Sequence, residues 1–477
     1  MRLSNIRKEL RKLIQEYLQV IYNELIARGI EHESSLLKTK HDHVKIINKA
    51  RKKMNLKKNN ILKKFKNENY DRYFIDMFIR SYGQYLCQKM NKKGRKINFI
   101  IDVVLLAVIF VLILILLVNR YIIVLFERLK REQQLNTVFI YYYEWRRNFL
   151  PQKYKKDKVL FLKKSTKSLN FKDIILILKI IKFSGIVYLV NDPKFILGLI
   201  KWLSIYSDII YRYRPKNIVN FFEGSFSSSL VTWYCNYHNV KHVNLMHGER
   251  FFNSSQAFSS FNKFYVWGNY FERLFKLLHC RADKFIQEPN SLHIAAYKLR
   301  DKASKKKQRT VSFIYDGYMN LKNYVKLIHK LSDCIDYNWV IRIRPHYFLS
   351  QKQNDLFIKN MMKIFGDHKI VMDDFKSTDI LQTIKKSELV VSCASTALLD
   401  SWIAGRKIII LYDETMVNYP IEKFCDSKNV LVLDENFNNI IFHRFLHNEL
   451  CEKREIDILK KVIKIDAKNS ERNFSKI

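Results

Sequence analysis

From about residue 135 onward the chain repeats one pattern, in which apolar runs of strand length alternate with amphipathic helical stretches, at residues 159–162, 185–190, 217–222, 243–246 and 264–267. Runs this short and this uniformly apolar are strands buried on both faces. Strands that alternate with helices require a parallel sheet covered on both sides. The pattern pauses at residues 301–310, a polar stretch holding Lys305, Lys306 and Lys307, and then restarts at 311–315. It continues through 339–343, 370–372, 389–392, 407–412 and 430–433. The expected fold class is therefore α/β with two doubly wound lobes, over residues 135–300 and 308–445, and a helical tail over 446–477.

What precedes the lobes reads differently. Residues 1–96 show helical periodicity, for instance Leu10, Leu13, Ile14, Tyr17, Leu18 and Ile21, with few turn residues. They form an expected basic helical region, and the acid-free run 44–66 within it suits a solvated or lipid-facing surface. A membrane helix is expected over residues 97–126. From 99 to 118 every residue is apolar except Asp102, and twenty helical residues span the ~30 Å hydrocarbon layer. Sixteen unbroken apolar residues, 103–118, leave no polar face for a soluble helix. Basic residues stand on both flanks, Lys92, Lys93, Arg95 and Lys96 before it and Arg120, Arg128, Lys130 and Arg131 after it. The positive-inside rule draws both flanks to one side, so a bent, re-entrant or interface-lying segment stands beside a single crossing.

The chain has 85 Lys plus Arg against 45 Asp plus Glu, a formal charge of +40, which favours anionic partners. Nucleic acid is not the expected one: the sequence has no zinc spacing, no RNP-like aromatic run and no helix-turn-helix pattern. The seven cysteines are scattered singly, without a C-x-x-C pair, which reads as reduced thiols.

Parallel sheets bind ligands beyond the carboxyl ends of their strands, and four such places carry chemistry. Ser392, Cys393, Ala394, Ser395 and Thr396 form a small polar turn between a strand and a helix. The N–H groups of that helix start, with the Ser395 and Thr396 hydroxyls, suit the phosphate of a diphospho donor; an ordinary helix cap uses the same residues. Arg342, Arg344 and His346 alternate off a second strand end and supply cationic donors, or pair with surface acids. His247, followed by Gly248 and Glu249, ends a third strand. An imidazole there has a pKa suited to a general base toward an acceptor hydroxyl, or serves as a structural histidine hydrogen-bonded to the strand end, the reading its residues favour by themselves. Glu223, before Gly224 and Ser225, ends a fourth; it can bind acceptor hydroxyls, act as an alternative base, or cap the next helix. Metal is not expected, because Asp373 and Asp374 have no matching His or Glu nearby. Arginine and helix amides can carry a diphosphate's charge instead.

These residues resemble a known group. Residues 387–413, with Ser392, Ser395, Thr396 and Asp400 in order, look like the donor-binding segment of bacterial capsule and teichoic-acid transferases. That group holds the CDP-glycerol glycerophosphotransferases and capsular polysaccharide glycosyltransferases of the GT-B fold, two Rossmann-like lobes. The pair His247 and Gly248 resembles their strand-ending His-Gly, and residues 264–268 resemble the strand that follows. The resemblance implies that His247 is the catalytic base, His346 a donor-phosphate contact, Ser395 and Thr396 the phosphate-binding pair, and Asp400 the acidic position of the next helix. Two departures, Glu249, Arg250 and Phe251 after His-Gly and the order Pro345, His346, turn the expectation from glycerophosphate toward sugar transfer.

The implied protein is a membrane-associated glycosyltransferase of the bacterial inner membrane with a cytoplasmic catalytic domain. It moves a sugar from a nucleotide-activated donor to a surface-polysaccharide or lipid-linked glycan, touches anionic membrane lipid and needs no cofactor. The alternatives are a CDP-glycerol glycerophosphotransferase, a nucleotide-sugar epimerase and a non-catalytic membrane-tethered scaffold.

Overall fold

The computed structural model describes residues 39–64, 71–91, 135–140, 150–151, 154, 159–162, 173, 176–177, 180–182, 192–246, 248, 252–300, 309–315, 321–334, 337–343, 351–365, 370–373, 379–393, 395–412, 421–424, 426–434, 436–437, 439–447 and 452–464. The expected membrane helix, residues 97–126, and the strand at 185–190 lie outside them. Among the described residues no helix is long and apolar enough to cross a membrane.

Among the described residues two helices precede the sheets, α1 (Lys40–Lys64) and α2 (Arg72–Asn91). In α2, Phe74, Phe78 and Tyr82 recur every fourth residue beside Ile75, Ile79 and Leu86, making one apolar face, and all six are buried. That face is occupied by the first lobe rather than by lipid. The first lobe begins with β1 (Thr137–Ile140) and β2 (Val159–Leu162), continues through α3 (Pro193–Tyr213), β3 (Asn217–Asn220), α4 (Ser228–Tyr237), β4 (Lys241–Leu245), β5 (Ser260–Val266) and α5 (Asn269–Leu277), and ends with β6 (Arg281–Gln287). The Phe78 and Tyr82 rings meet Phe195 of α3 edge-on at 5.8 and 5.6 Å, and α2 packs along α4. Gly83 lets the two leading helices close on each other, since a Cβ there would meet Met54 Sδ at 2.1 Å.

The strands of the first lobe form one parallel sheet in the order β2-β1-β3-β4-β5-β6. The chain then enters α6 (Ser291–Arg300) and a second set of elements: β7 (Thr310–Tyr315), α7 (Leu321–Ser332), β8 (Asn338–Ile343), α8 (Gln351–Phe365), β9 (Ile370–Asp373), α9 (Ile380–Lys386), β10 (Leu389–Ser392), α10 (Thr396–Ile403), β11 (Lys407–Leu411), β12 (Val430–Leu433), α11 (Asn439–His447) and α12 (Glu452–Val462). Their strands make a second all-parallel sheet, β12-β11-β10-β7-β8-β9. The protein is thus two parallel α/β lobes, the arrangement the GT-B resemblance implies. Leu389, Val390, Val391, Ile408, Ile409 and Ile410 are fully buried, which matches helices on both faces. Each such side chain contributes about 1.5–3 kcal/mol of burial.

The lobes are joined at Trp267 and Gly268, just past β5. The chain after α12 returns to this point, where Lys464 N donates to Trp267 O at 3.0 Å and α12 packs on α5. A Cβ on Gly268 would lie 2.2 Å from Val462 O, so only glycine admits the crossing. From the other side α6 packs on α9 and α10, and His293 of α6 meets the Trp267 ring edge-on at 4.4 Å.

Candidate functional site

In the second lobe β8 and β9 lie on one side of β7 and β10 and β11 on the other, so the order reverses between β7 and β10. An open parallel sheet parts its helices at such a reversal and leaves a crevice at the carboxyl strand ends. The Ser395 turn stands at that place. Ser395 is extended (φ −95°, ψ 137°) and caps α10, its Oγ accepting from Ala397 N at 3.3 Å. Ser392 anchors the strand side by donating from Oγ to Ile314 O at 2.7 Å. Ser395 and Thr396 stay partly exposed while Ala397 and the rest of the helix are buried. The result is a helix start whose Ala397 and Leu398 N–H groups both turn back to Ser395, the second to its carbonyl oxygen at 3.0 Å, with the positive end of the helix dipole behind them.

Asp400 lies one turn further in and is buried. Burial first, and the Asp379 carboxylate second, push its pKa up to about 7. His293 Nε2 is 3.5 Å from Asp400 Oδ1, and that oxygen accepts no hydrogen bond among the described residues. Burial holds His293 at about 3, so the contact is not an ion pair at neutral pH. Linkage fixes the sign of its effect: the unfolded chain releases the Asp400 proton near pH 3.8, whereas the folded chain keeps it to about 7, so Asp400 costs stability increasingly across that window. Asp400→Asn is therefore expected to stabilise the protein by up to about 4 kcal/mol at pH 8 and by under about 1 kcal/mol at pH 4. Urea unfolding at the two pH values measures this, and an equal change at both would contradict the buried, protonated carboxyl.

Across β7 from this turn, the register aligns Ser392 with Ile314 and Ile314 with Arg342. Two strand spacings, roughly 10 Å, separate the ends of β10 and β8. Arg342 is buried and its Nη1 donates to Thr383 Oγ1 of α9 at 2.9 Å, so its side chain lies under the covering helix. Alternation assigned Arg342 to a face, and the structure shows that α9 covers that face. Arg344 and His346 lie outside the described residues, as do His247 and Glu249.

In the first lobe β3 and β4 are neighbours, with Asn220 opposite Asn244. The Asn244 side chain organises both strand ends: Oδ1 accepts from Phe222 N, and Nδ2 donates to Glu223 Oε2 at 2.9 Å. Glu223 is fully buried. Its turn is clamped from above by α2. Gln84 Nε2 donates to Glu223 O and Ser255 O at 2.9 and 3.1 Å, and Gln88 Nε2 to Gly224 O and Ser255 O at the same distances. No described atom would lie within 4 Å of a Cβ on Gly224 or Gly248. Asn244, Gln84 and Gln88 are positioning residues that sequence reasoning did not single out. Asn244 was visible beside His247, but nothing in the sequence links glutamines of α2 to a turn about 140 residues away.

Among the described residues there is no group of three or more His, Cys, Asp or Glu that could hold a metal ion, and Cys87, Cys235, Cys280, Cys334 and Cys393 form no disulfide.

No family model matches the sequence, and no curated protein matches it. Among solved structures, the chain is similar to UDP-GlcNAc 2-epimerase from Neisseria meningitidis bound to UDP-GlcNAc, with 12% identity, 68% of this chain and 94% of that chain covered and a TM-score of 0.42. It is similar to a glycosyltransferase from Rickettsia africae (13% identity, 69% and 94% covered, TM-score 0.40). It is also similar to an Anabaena protein in complex with UDP and glucose (10%, 69% and 94%, TM-score 0.39). Scores of this size assign no chemistry to the present chain, which its own residues must do.

Proposed function

We propose that the protein is a glycosyltransferase that takes a sugar from a nucleoside-diphosphate donor and passes it to a hydroxyl of a glycan or lipid-linked acceptor. The observation that carries this reading is the capped start of α10 at the strand reversal of a six-stranded parallel sheet. There the positive end of α10 and the Ser395 and Thr396 hydroxyls receive the donor phosphates. Arg344 and His346, which follow β8 in the sequence, add charge to the departing diphosphate. In the first lobe, His247 takes the acceptor's proton as its oxygen forms the bond to the anomeric carbon and the carbon–phosphate-oxygen bond breaks. Glu223 was the alternative base. Its complete burial and its bond to Asn244 favour His247 as the group that touches the acceptor, with Glu223 holding the strand end.

The test is a thermal-shift panel of CMP-, CDP-, UDP- and GDP-linked compounds on the full chain. One nucleotide class is expected to stabilise it, by about 2.7 kcal/mol at a hundred times its Kd. Thr396→Pro is the matched variant. Proline is well tolerated at the first helical position, and the extended Ser395 before it accommodates the ring. This variant removes one first-turn N–H and the Thr396 hydroxyl together, so nucleotide binding is expected to weaken at least about tenfold with the fold retained. A panel without any shift, or a shift that Thr396→Pro leaves untouched, would overturn the reading.

A further inference from the structure

The inward face of α1 is fixed: His43, Ile47, Ala50, Met54 and Ile61 are buried against α2 and the first lobe. His43 Nδ1 and Ser254 Oγ are 3.0 Å apart, and Lys40 stands over the Phe252 ring at 5.7 Å. With the helix held this way, its opposite face is determined by the spacing of 3.6 residues per turn. That face is the stripe Lys45, Lys49, Lys52, Leu56, Asn59 and Lys63, every residue of it exposed. It runs about 27 Å along the helix. None of its four lysines forms a salt bridge among the described residues, and the single acid of α1, Asp42, sits in the first turn and is bonded to Thr39. Leu56, in the middle of the stripe, is 57% exposed, and Leu62 and Val44 beside it are 41% and 39% exposed.

A row of lysines outside any salt bridge among the described residues, with the exposed Leu56 among them, has a specific complement. Lysine side chains reach to phosphate level while exposed leucine enters the boundary between headgroup and acyl chain. A nucleic-acid site would instead offer guanidinium or aromatic groups for bases and sugars, and this stripe has none. The chain that leaves α2 runs on into the apolar residues 103–118, which fits the same surroundings.

We propose that the outward stripe of α1 is a docking surface for an anionic phospholipid bilayer. This surface is independent of the nucleotide reading, since no stripe residue belongs to the strand-end turns. Each lysine near an anionic membrane contributes about fivefold to partitioning, so removing four costs several hundredfold at low salt.

The experiment is flotation of the full chain with vesicles of phosphatidylcholine alone and with one quarter phosphatidylglycerol, at low and high salt. The wild type is expected to prefer the anionic vesicles and to lose that preference in high salt. The variant Lys45→Glu, Lys49→Glu, Lys52→Glu and Lys63→Glu is expected to lose at least about a hundredfold in binding to anionic vesicles. A control reversing exposed Lys194, Lys216, Lys359 and Lys386 has the same net charge and should lose less than about threefold if the stripe, rather than bulk charge, is responsible. Should charge reversal lower the melting temperature, the four-glutamine variant replaces it with the same expectation of lost preference. Equal losses in stripe and control variants, equal wild-type binding to both vesicle types, or a stripe-dependent preference for RNA over anionic vesicles would each overturn the proposal.

Discussion

Replacing His247 by alanine is expected to lower turnover about a hundredfold or more while leaving nucleotide affinity unchanged. A positioned general base contributes about 10²–10⁴-fold to a proton-transfer step. In the sequence His247 follows β4 of the first lobe, whereas the proposed donor contacts start α10 of the second, so its removal should leave nucleotide binding intact. Steady-state rates with the donor class that raises the melting temperature, together with the thermal shift of the variant itself, separate the two effects. Glu223→Ala is expected to reduce turnover as well, through a loosened β3 end, and to lower stability because Asn244 Nδ2 loses its buried acceptor. Full activity in His247→Ala would remove the base assignment.

The largest stability loss is expected at Trp402, where truncation to alanine should cost about 3–5 kcal/mol. The indole is fully buried within α10 and packs edge-on against Phe424 at 5.1 Å. Its Nε1 donates to Ser427 Oγ at 3.1 Å and to Glu455 Oε2 of α12 at 3.2 Å. Glu455 in turn accepts from Ser427 Oγ and Lys428 N at 2.6 and 2.8 Å. One ring thus couples the helix that presents Ser395 to the helix that crosses back to the first lobe. Urea denaturation reads the cost, with Trp402→Phe as the variant that keeps a ring but leaves the carboxylate short of a donor. A loss under about 1 kcal/mol for Trp402→Ala would mean that the ring is not packed as described.

Strands buried on both faces were legible because nothing polar interrupts them, as in β10 and β11. β6 escaped notice for the opposite reason. It is an edge strand, Arg-Ala-Asp-Lys-Phe-Ile-Gln, with Arg281, Asp283 and Lys284 exposed, and carries the charges that keep such edges unpaired. β1 was missed because four residues inside an aromatic-rich stretch give too short a period to recognise. The Ser395 turn could be read locally, since strand, hydroxyl cap and helix are consecutive in the chain. The burial of Arg342 could not, because Thr383 lies on another helix. Nor could the place of α2: its apolar face announced a partner, and only the tertiary contacts identify that partner as α4 and α3 rather than lipid.

The docking of α2 bears on how the intervening chain can be threaded. Asn91 closes a helix packed on α4, and Thr137 opens a strand two places away in the sheet that α4 covers. A lipid layer cannot separate these two points without cleaving a continuous core. Asn91 and Leu135, the described residues on either side of the intervening chain, therefore lie on one and the same side of any bilayer the protein meets.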